Sequence, residues 1–80
     1  MSGNRRMPSD ETLDRIRAQI DQMFSQSTER SYRSEADEDR GEFVIEVDDA
    51  AEREKAGTVV DEYDVSYETR DGEIRVFVTE

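Results

Sequence analysis

The sequence predicts an α+β domain in which an N-terminal amphipathic helix is followed by strand, helix, strand and strand, with a three-stranded sheet and the helices on one face. Three observations predict this order. Apolar residues recur at helical spacing early in the chain, an alternating apolar and polar run begins at position 42, and an Asp-Gly pair separates two further alternating runs. With 80 residues, we expect one small domain.

Residues 9–25 are predicted to form the first helix. Ser9 or Asp10 follows Pro8 and is suited to cap the first turn. The apolar residues that follow are spaced by three and four positions, which places them in one stripe of the helix, here called the helix stripe. These residues are Leu13, Ile16, Ile20, Met23 and Phe24. The stripe can pack on the domain's own sheet or on another protein surface, and the sequence leaves both open.

The segments on either side of this helix are predicted to lack regular structure. Residues 1–8 are expected to be a flexible arm, and residues 26–41 a polar linker in which Tyr32 is the one large apolar side chain. Structureless connections longer than about 15 residues are unusual inside a compact domain, so we expect the linker to be disordered. Residues 42–80 contain most of the Leu, Ile, Val and Phe residues and are expected to form the core.

The core region begins with a predicted strand over residues 42–48, in which every second residue is apolar. Asp49 and Glu52 then form a capping box, which indicates the start of a second helix. Apolar spacing continues this helix to Tyr63, although Gly57 costs about 1 kcal/mol relative to Ala. The alternative is a short helix that ends at Gly57, followed by a longer strand from Thr58.

A β-hairpin is predicted around Asp71-Gly72, the favoured two-residue turn. One register across this turn places apolar residues together on one face and an opposite-charge pair on the other. The predicted pairs are Thr69–Ile74, Tyr67–Val76 and Val65–Val78 on the first face, and Glu68–Arg75 and Ser66–Phe77 on the second. Val44 and Phe77 fall on the face away from the helices, either as scattered surface residues or as a contact with a second copy.

Composition excludes several kinds of chemistry. The chain has no Cys and no His, so disulfides, thiol nucleophiles, zinc-thiolate sites and imidazole acid–base catalysis are all excluded. Its four Gly residues are scattered, and none belongs to a phosphate-binding loop. We therefore expect a protein without enzymatic activity or cofactor. No apolar run approaches the roughly 18 residues of a membrane span, and we expect a cytoplasmic location.

The charge balance is strongly acidic. Asp and Glu number 22 against 11 Lys and Arg, the net charge is −11, and Lys55 is the single lysine. This composition resembles that of proteins from extremely halophilic archaea, in which multimolar salt screens the repulsion within a dense carboxylate surface. The resemblance implies a high-salt cytoplasm; it identifies no named family and implies no functional residue.

Arginines near the start of the chain are the candidate partner-binding residues. Residues 1–34 sum to a charge of +1, whereas residues 35–80 sum to −12. An acidic partner would therefore be expected to contact the first part of the chain. The candidates are Arg5, Arg6, Arg15 and Arg17.

These observations favour a non-enzymatic protein-interaction module that forms a homodimer or is a small subunit of an assembly. Its candidate contact surfaces are the helix stripe, the sheet edge, and Val44 with Phe77. One alternative is a nucleic-acid-associated accessory protein that uses the N-terminal arginines, although a net charge of −11 disfavours nucleic acid. A second alternative is a weak divalent-cation binder, because acidic residues cluster near Asp37 and Asp48 without matching a calcium loop.

Overall fold

A computed structural model describes residues 5–24, 28–38 and 40–79, which form two helices and a five-stranded antiparallel sheet. The α+β class is confirmed, but the described sheet has five strands where the sequence predicts three. The first helix is also preceded by a short strand. In chain order the elements are β1 (Arg5–Arg6), α1 (Asp10–Met23), β2 (Arg30–Asp37), β3 (Arg40–Val47), α2 (Ala50–Asp61), β4 (Ser66–Arg70) and β5 (Glu73–Thr79).

Strand β5 organises the sheet. It pairs with β3 and with β4, and its C-terminal end pairs with β1. Strand β3 pairs on its other side with β2. Within the described residues, β2 and β4 each pair with one strand, so they form the two long edges of the sheet.

Strand β2 replaces most of the linker predicted over residues 26–41. Its eight residues pair with β3 without interruption, from Arg30 opposite Val47 to Asp37 opposite Arg40. The prediction of disorder rested on the scarcity of apolar side chains. An edge strand of polar residues is instead ordered by backbone hydrogen bonds to its neighbour, which side-chain polarity does not reveal. Residues 25–27 and 39 lie outside the described residues.

The predicted flexible arm is docked where the structure describes it. Arg5 and Arg6 pair with Thr79 and Val78, and the next residue, Met7, packs against the core. The chain passes so close to Gly41 that a Cβ there would lie 2.8 Å from the backbone nitrogen of Met7. Residues 1–4 lie outside the described residues.

Helix α1 packs on its own sheet. The Ser9 hydroxyl caps it by accepting a hydrogen bond from the backbone N–H of Thr12 at 3.3 Å. Four members of the helix stripe are buried in the core with residues of the second helix and the sheet: Leu13, Ile16, Ile20 and Phe24. Met23, the fifth member, is 39% exposed. Packing within one chain therefore accounts for the stripe.

Helix α2 extends through Gly57 to Asp61, which confirms the longer of the two predicted helices. The Asp49 carboxylate caps it by accepting hydrogen bonds from the N–H groups of Ala51 and Glu52. Its inner face buries Ala56, Val59 and Val60. Neither helix of the described chain is long and apolar enough to cross a membrane.

The C-terminal hairpin has the predicted register. Asp71 and Gly72 both have positive φ angles, 47° and 85°, as a type I′ turn requires. Four predicted pairs are observed: Thr69–Ile74, Tyr67–Val76, Glu68–Arg75 and Ser66–Phe77. The ladder ends at Ser66, so the fifth predicted pair, Val65–Val78, is not part of it.

Two glycines are expected to respond oppositely to alanine. At Gly57 a Cβ would make an ordinary contact, 3.4 Å from the Tyr67 ring, so Gly57→Ala should stabilise the fold by up to about 1 kcal/mol through helix propensity. Gly41→Ala should cost about 1–3 kcal/mol because the backbone of Met7 must move. Urea unfolding measures both, and equal effects of the two substitutions would contradict this packing.

Ile20 and Met23 test whether the helix stripe belongs to the core. Ile20 has no exposed surface, so Ile20→Ala should lower the free energy of unfolding by about 2–5 kcal/mol. Met23→Ala removes a side chain that is 39% exposed and serves as the control, with an expected loss below about 1 kcal/mol. Thermal unfolding followed by circular dichroism compares the two variants. A small loss for Ile20→Ala would contradict packing within one chain.

Candidate functional site

The sheet face that lies opposite the helices, here called the open face, has an ordered charge pattern. Arg33 and Arg75 are the Cα partners of Val44 on either side, and we call these two arginines the arginine row. A glutamate pair flanks the row in each direction along the strands. One pair is Glu35 opposite Glu42, and the other is Glu46 opposite Glu73. Like charges directly opposite one another destabilise a sheet, so this face depends on the arginines between the pairs.

Arg33 bridges both glutamate pairs. Its Nε lies 2.9 Å from Oε2 of Glu35, and its Nη2 lies 3.2 Å from Oε1 of Glu73. Its Nη1 pairs with Glu46. One guanidinium thus joins strands β2, β3 and β5.

Arg75 bridges the same pairs from β5. Its Nε donates to Oε2 of Glu73 at 2.6 Å, and its Nη1 donates to Oε1 of Glu35 at 2.8 Å. The same Nη1 lies 3.4 Å from Oε2 of Glu42. The ion pairs of the open face therefore form a connected network, which stabilises more than the same number of isolated surface pairs.

Arg5 extends this network to β4. Its Nη1 lies 3.0 Å from Oε1 of Glu42, it pairs with Glu68, and its guanidinium carbon lies 4.0 Å from the ring centroid of Phe77. The predicted opposition of Glu68 and Arg75 holds for the backbone register. The carboxylate of Glu68, however, pairs with Arg5 and Arg70.

Val44 and Phe77 lie beneath this charged layer. Both are on the open face as predicted, but Val44 has no exposed surface and Phe77 is 6% exposed. The Arg5 guanidinium carbon lies 4.0 Å from the Phe77 ring centroid, and Arg33 and Arg75 flank Val44 on the adjacent strands. Within a single chain, these two interface candidates do not form an exposed apolar patch.

The arginines lower the pKa of two carboxyl groups. Hydrogen bonds from Arg33, and then from Arg75, hold the pKa of Glu35 below its ordinary value of 4.5. The hydrogen bond from Arg5 lowers the pKa of Glu68 in the same way. Both carboxylates are therefore stabilised in their charged form by the folded arrangement.

A second polar cluster joins β2 to α1. The Tyr32 hydroxyl donates to Oδ1 of Asp21 at 2.6 Å, and Nε of Arg30 donates to the same oxygen at 2.9 Å. The Tyr32 ring stacks on Phe43 with 6.0 Å between ring centroids. Burial, followed by the hydrogen bond to Asp21, raises the pKa of Tyr32 to about 12. The phenol is therefore neutral at physiological pH, and the cluster anchors the edge strand to the helix.

This cluster borders an open polar groove of about 660 Å³. Tyr32, Arg30 and Asp21 line it, but each already takes part in the hydrogen bonds of the cluster. Within the described residues, no three acidic side chains are grouped so that they could hold a metal ion. These three lining side chains are therefore accounted for by the contact between β2 and α1.

The four candidate partner-binding arginines are not gathered into one patch. Arg5 belongs to the open face, and Arg6 pairs with Val78 through the backbone. Arg15 pairs with Glu11 at 2.9 Å on the exposed side of α1, while the Arg17 guanidinium lies 5.1 Å from the Tyr32 ring centroid. Arg5, Arg15 and Arg17 thus have side-chain contacts within the chain at three different places.

The outer edge of β2 was missed by the sequence analysis. The N–H of Val47 donates to the carbonyl of Gly72 at 3.2 Å, which directs the backbone of Val47 towards the β4–β5 turn. The backbone N–H and C=O groups of successive residues point to opposite sides of a strand. Those of Val44 and Glu46 therefore point towards β2. The backbone groups of their partners in β2, Arg33 and Ser31, point back towards β3. The alternate residues Tyr32, Ser34 and Ala36 therefore direct their N–H and C=O groups away from β3, towards the open edge.

One signal for β2 was present in the sequence. Charged residues alternate with small uncharged ones from Arg33 to Asp37, which is the period of a strand. The alternation carries no apolar face, so a search for hydrophobic periodicity passes over it.

Comparison with known proteins finds no matching family, no similar curated protein and no similar solved structure. Any assignment of function to this chain therefore depends on the geometry of its described residues.

Acid is expected to weaken the open face. Glu35 and Glu68 have folded pKa values below their ordinary 4.5, so their ion pairs contribute stability in full above pH 4.5. That contribution is lost as the pH falls through the lower folded values, since the unfolded chain then binds more protons. Thermal unfolding at decreasing pH should show a falling melting temperature below pH 4.5.

The variant Arg33→Gln tests the physical cause of the lowered pKa of Glu35 by NMR titration. Carbon-13 NMR of the Glu35 carboxyl group should show its pKa rising towards 4.5 when Arg33 is replaced. Glu68, whose main partner is Arg5, should keep its lowered pKa and serves as the internal control. An unchanged pKa of Glu35 in Arg33→Gln would show that the arginine row does not hold this carboxylate.

Proposed function

We propose that this chain is a non-enzymatic protein-interaction module that self-associates as a homodimer, with the outer edge of β2 as its contact surface. The observation that carries the proposal is the edge itself. Eight residues pair with β3 without a break, and their outward backbone groups face solvent in the described chain. A strand of this kind is a ready template for pairing with another chain.

The geometry of the other candidate surfaces supports this choice. The helix stripe is mostly buried in the core, and Val44 and Phe77 are buried as well. The second edge, β4, has only five residues, and its Tyr67 ring lies against Gly57 of α2. Strand β2 has neither proline nor a bulge, two of the devices that block edge pairing, although four of its eight side chains are charged.

The acidic composition supports a high-salt cytoplasm as the setting for this module. In such salt, long-range repulsion between two chains of net charge −11 is screened within a few ångströms. Backbone hydrogen bonds between edge strands act at contact distance and are less affected. We therefore propose that self-association is stronger in molar KCl than in dilute buffer.

Light scattering after size exclusion tests the proposal when measured at several protein concentrations in molar and in dilute KCl. The parent chain is expected to be a dimer in molar KCl. Ser34→Pro should give a monomer with the parent secondary structure, because it removes an N–H that faces away from β3. Circular dichroism of the same samples checks the fold.

Thr69→Pro is the matched control on the other edge. The backbone groups of Phe77 and Arg75 point towards β4, where their partners are Ser66 and Glu68. The next residue, Thr69, therefore directs its N–H away from β5. This variant should remain a dimer. A parent chain that is monomeric at every concentration would refute the proposal, and dissociation by Thr69→Pro but not by Ser34→Pro would assign the contact to β4.

A further inference from the structure

We infer that the occupant of the β2 edge is a second copy of β2, antiparallel to the first and in a single register with Ser34 opposite Ser34 of the second copy. The inference rests on the proposed function and adds the geometry of the partner. It follows from the symmetry of an antiparallel pair, from the charges of β2, and from the direction of its backbone groups.

Symmetry limits the possible registers. Two identical edges that pair antiparallel are related by a two-fold axis perpendicular to the sheet, so both helix layers lie on the same side. Residues that face each other must then project from the same face of the sheet, and every symmetric register has one residue opposite its own copy. The registers with substantial overlap are centred on residues 32 to 36.

The charges of β2 discriminate among these registers. A register centred on Arg33 places Arg33 opposite its own copy, and a register centred on Glu35 does the same for Glu35. Like charges directly opposite one another are destabilising. Centring on residue 36 places Glu35 opposite Asp37, which is also repulsive. Centring on residue 32 aligns only residues 30–34. Centring on Ser34 aligns residues 31–37 and places Arg33 opposite Glu35 of the second copy, twice by symmetry.

The backbone geometry agrees with this register. Tyr32, Ser34 and Ala36 direct their hydrogen-bonding groups outward, and the register pairs Ser34 with itself and Tyr32 with Ala36. These are the hydrogen-bonded positions of the new ladder. Arg33 and Glu35 then occupy non-hydrogen-bonded positions, where opposite Cα atoms approach to about 4.5 Å and side chains lie closest.

The two charged side chains are accessible for this contact. Arg33 is 39% exposed and Glu35 is 43% exposed at the side chain, although both belong to the ion-pair network. In the proposed dimer, Arg33 at the end of the arginine row lies opposite Glu35 of the other copy. The network of the open face would thus cross the interface, and β2 would become an interior strand of a sheet shared by two chains.

Single-cysteine variants of the full chain test the register directly, because the protein has no cysteine of its own. In the proposed register the Cα atoms of residue 34 in the two copies are about 5.5 Å apart, within the range that a disulfide spans. Ser34→Cys should therefore form a covalent dimer on mild oxidation. Ser31→Cys is the matched control, since its two copies would lie about 20 Å apart.

The readout is the rate of covalent dimer formation on a non-reducing gel. We expect cross-linking of Ser34→Cys to be at least about tenfold faster than that of Ser31→Cys and of Thr69→Cys, which reports on the β4 edge. If the parent chain is a dimer by light scattering but Ser34→Cys cross-links no faster than these controls, the register is overturned while self-association stands. A monomeric parent chain overturns both.

Charge variants provide a second test that does not depend on disulfide geometry. Arg33→Glu and Glu35→Arg each place like charges opposite one another in their own homodimers, so each alone should dissociate more readily than the parent chain. Mixed together, the two variants place opposite charges across both symmetric contacts and should form a heterodimer. Failure of the folded variants to associate on mixing would overturn the register.

Discussion

Arg33 and Arg75 lie on either side of Val44 on the open face, and the pairing of β2, β3 and β5 depends on them. The sheet places Glu35 opposite Glu42 and Glu46 opposite Glu73, arrangements that are destabilising without intervening positive charge. Each arginine contacts carboxylates of both pairs. A strongly acidic chain can therefore build a regular sheet, because two of its ten arginines lie between the pairs of opposed glutamates.

The same arrangement explains how a small core is extended. The helix side of the sheet buries the apolar residues of α1, α2, β3 and β5. On the open face, Val44 and Phe77 are also buried although the side chains around them are charged, and the Arg5 guanidinium lies over the Phe77 ring. This construction requires few large apolar residues, which matches the composition of the chain.

These features also determine which surface remains for a partner. The helix stripe is used within the chain, and the open face is covered by a network in which three arginines pair with five glutamates. The β2 edge is different, because Tyr32 and Arg30 fix the strand to Asp21 while its outward backbone groups face solvent. Order and accessibility together support the proposed contact at β2, and the positive charges in its first half and negative charges in its second half support the proposed register.

The sequence by itself determined the elements with local signals: α1 with its cap and apolar spacing, α2 with the cap at Asp49, and the hairpin around Asp71-Gly72 with its register. Capping, periodicity and turn geometry act over a few residues, so they are legible in the chain. Only the tertiary structure decided that residues 30–37 form a strand, that Arg5 docks against Glu68 across 63 positions of sequence, and that Val44 is covered. These features arise from backbone pairing and charge contacts between distant segments, which leave no local apolar pattern.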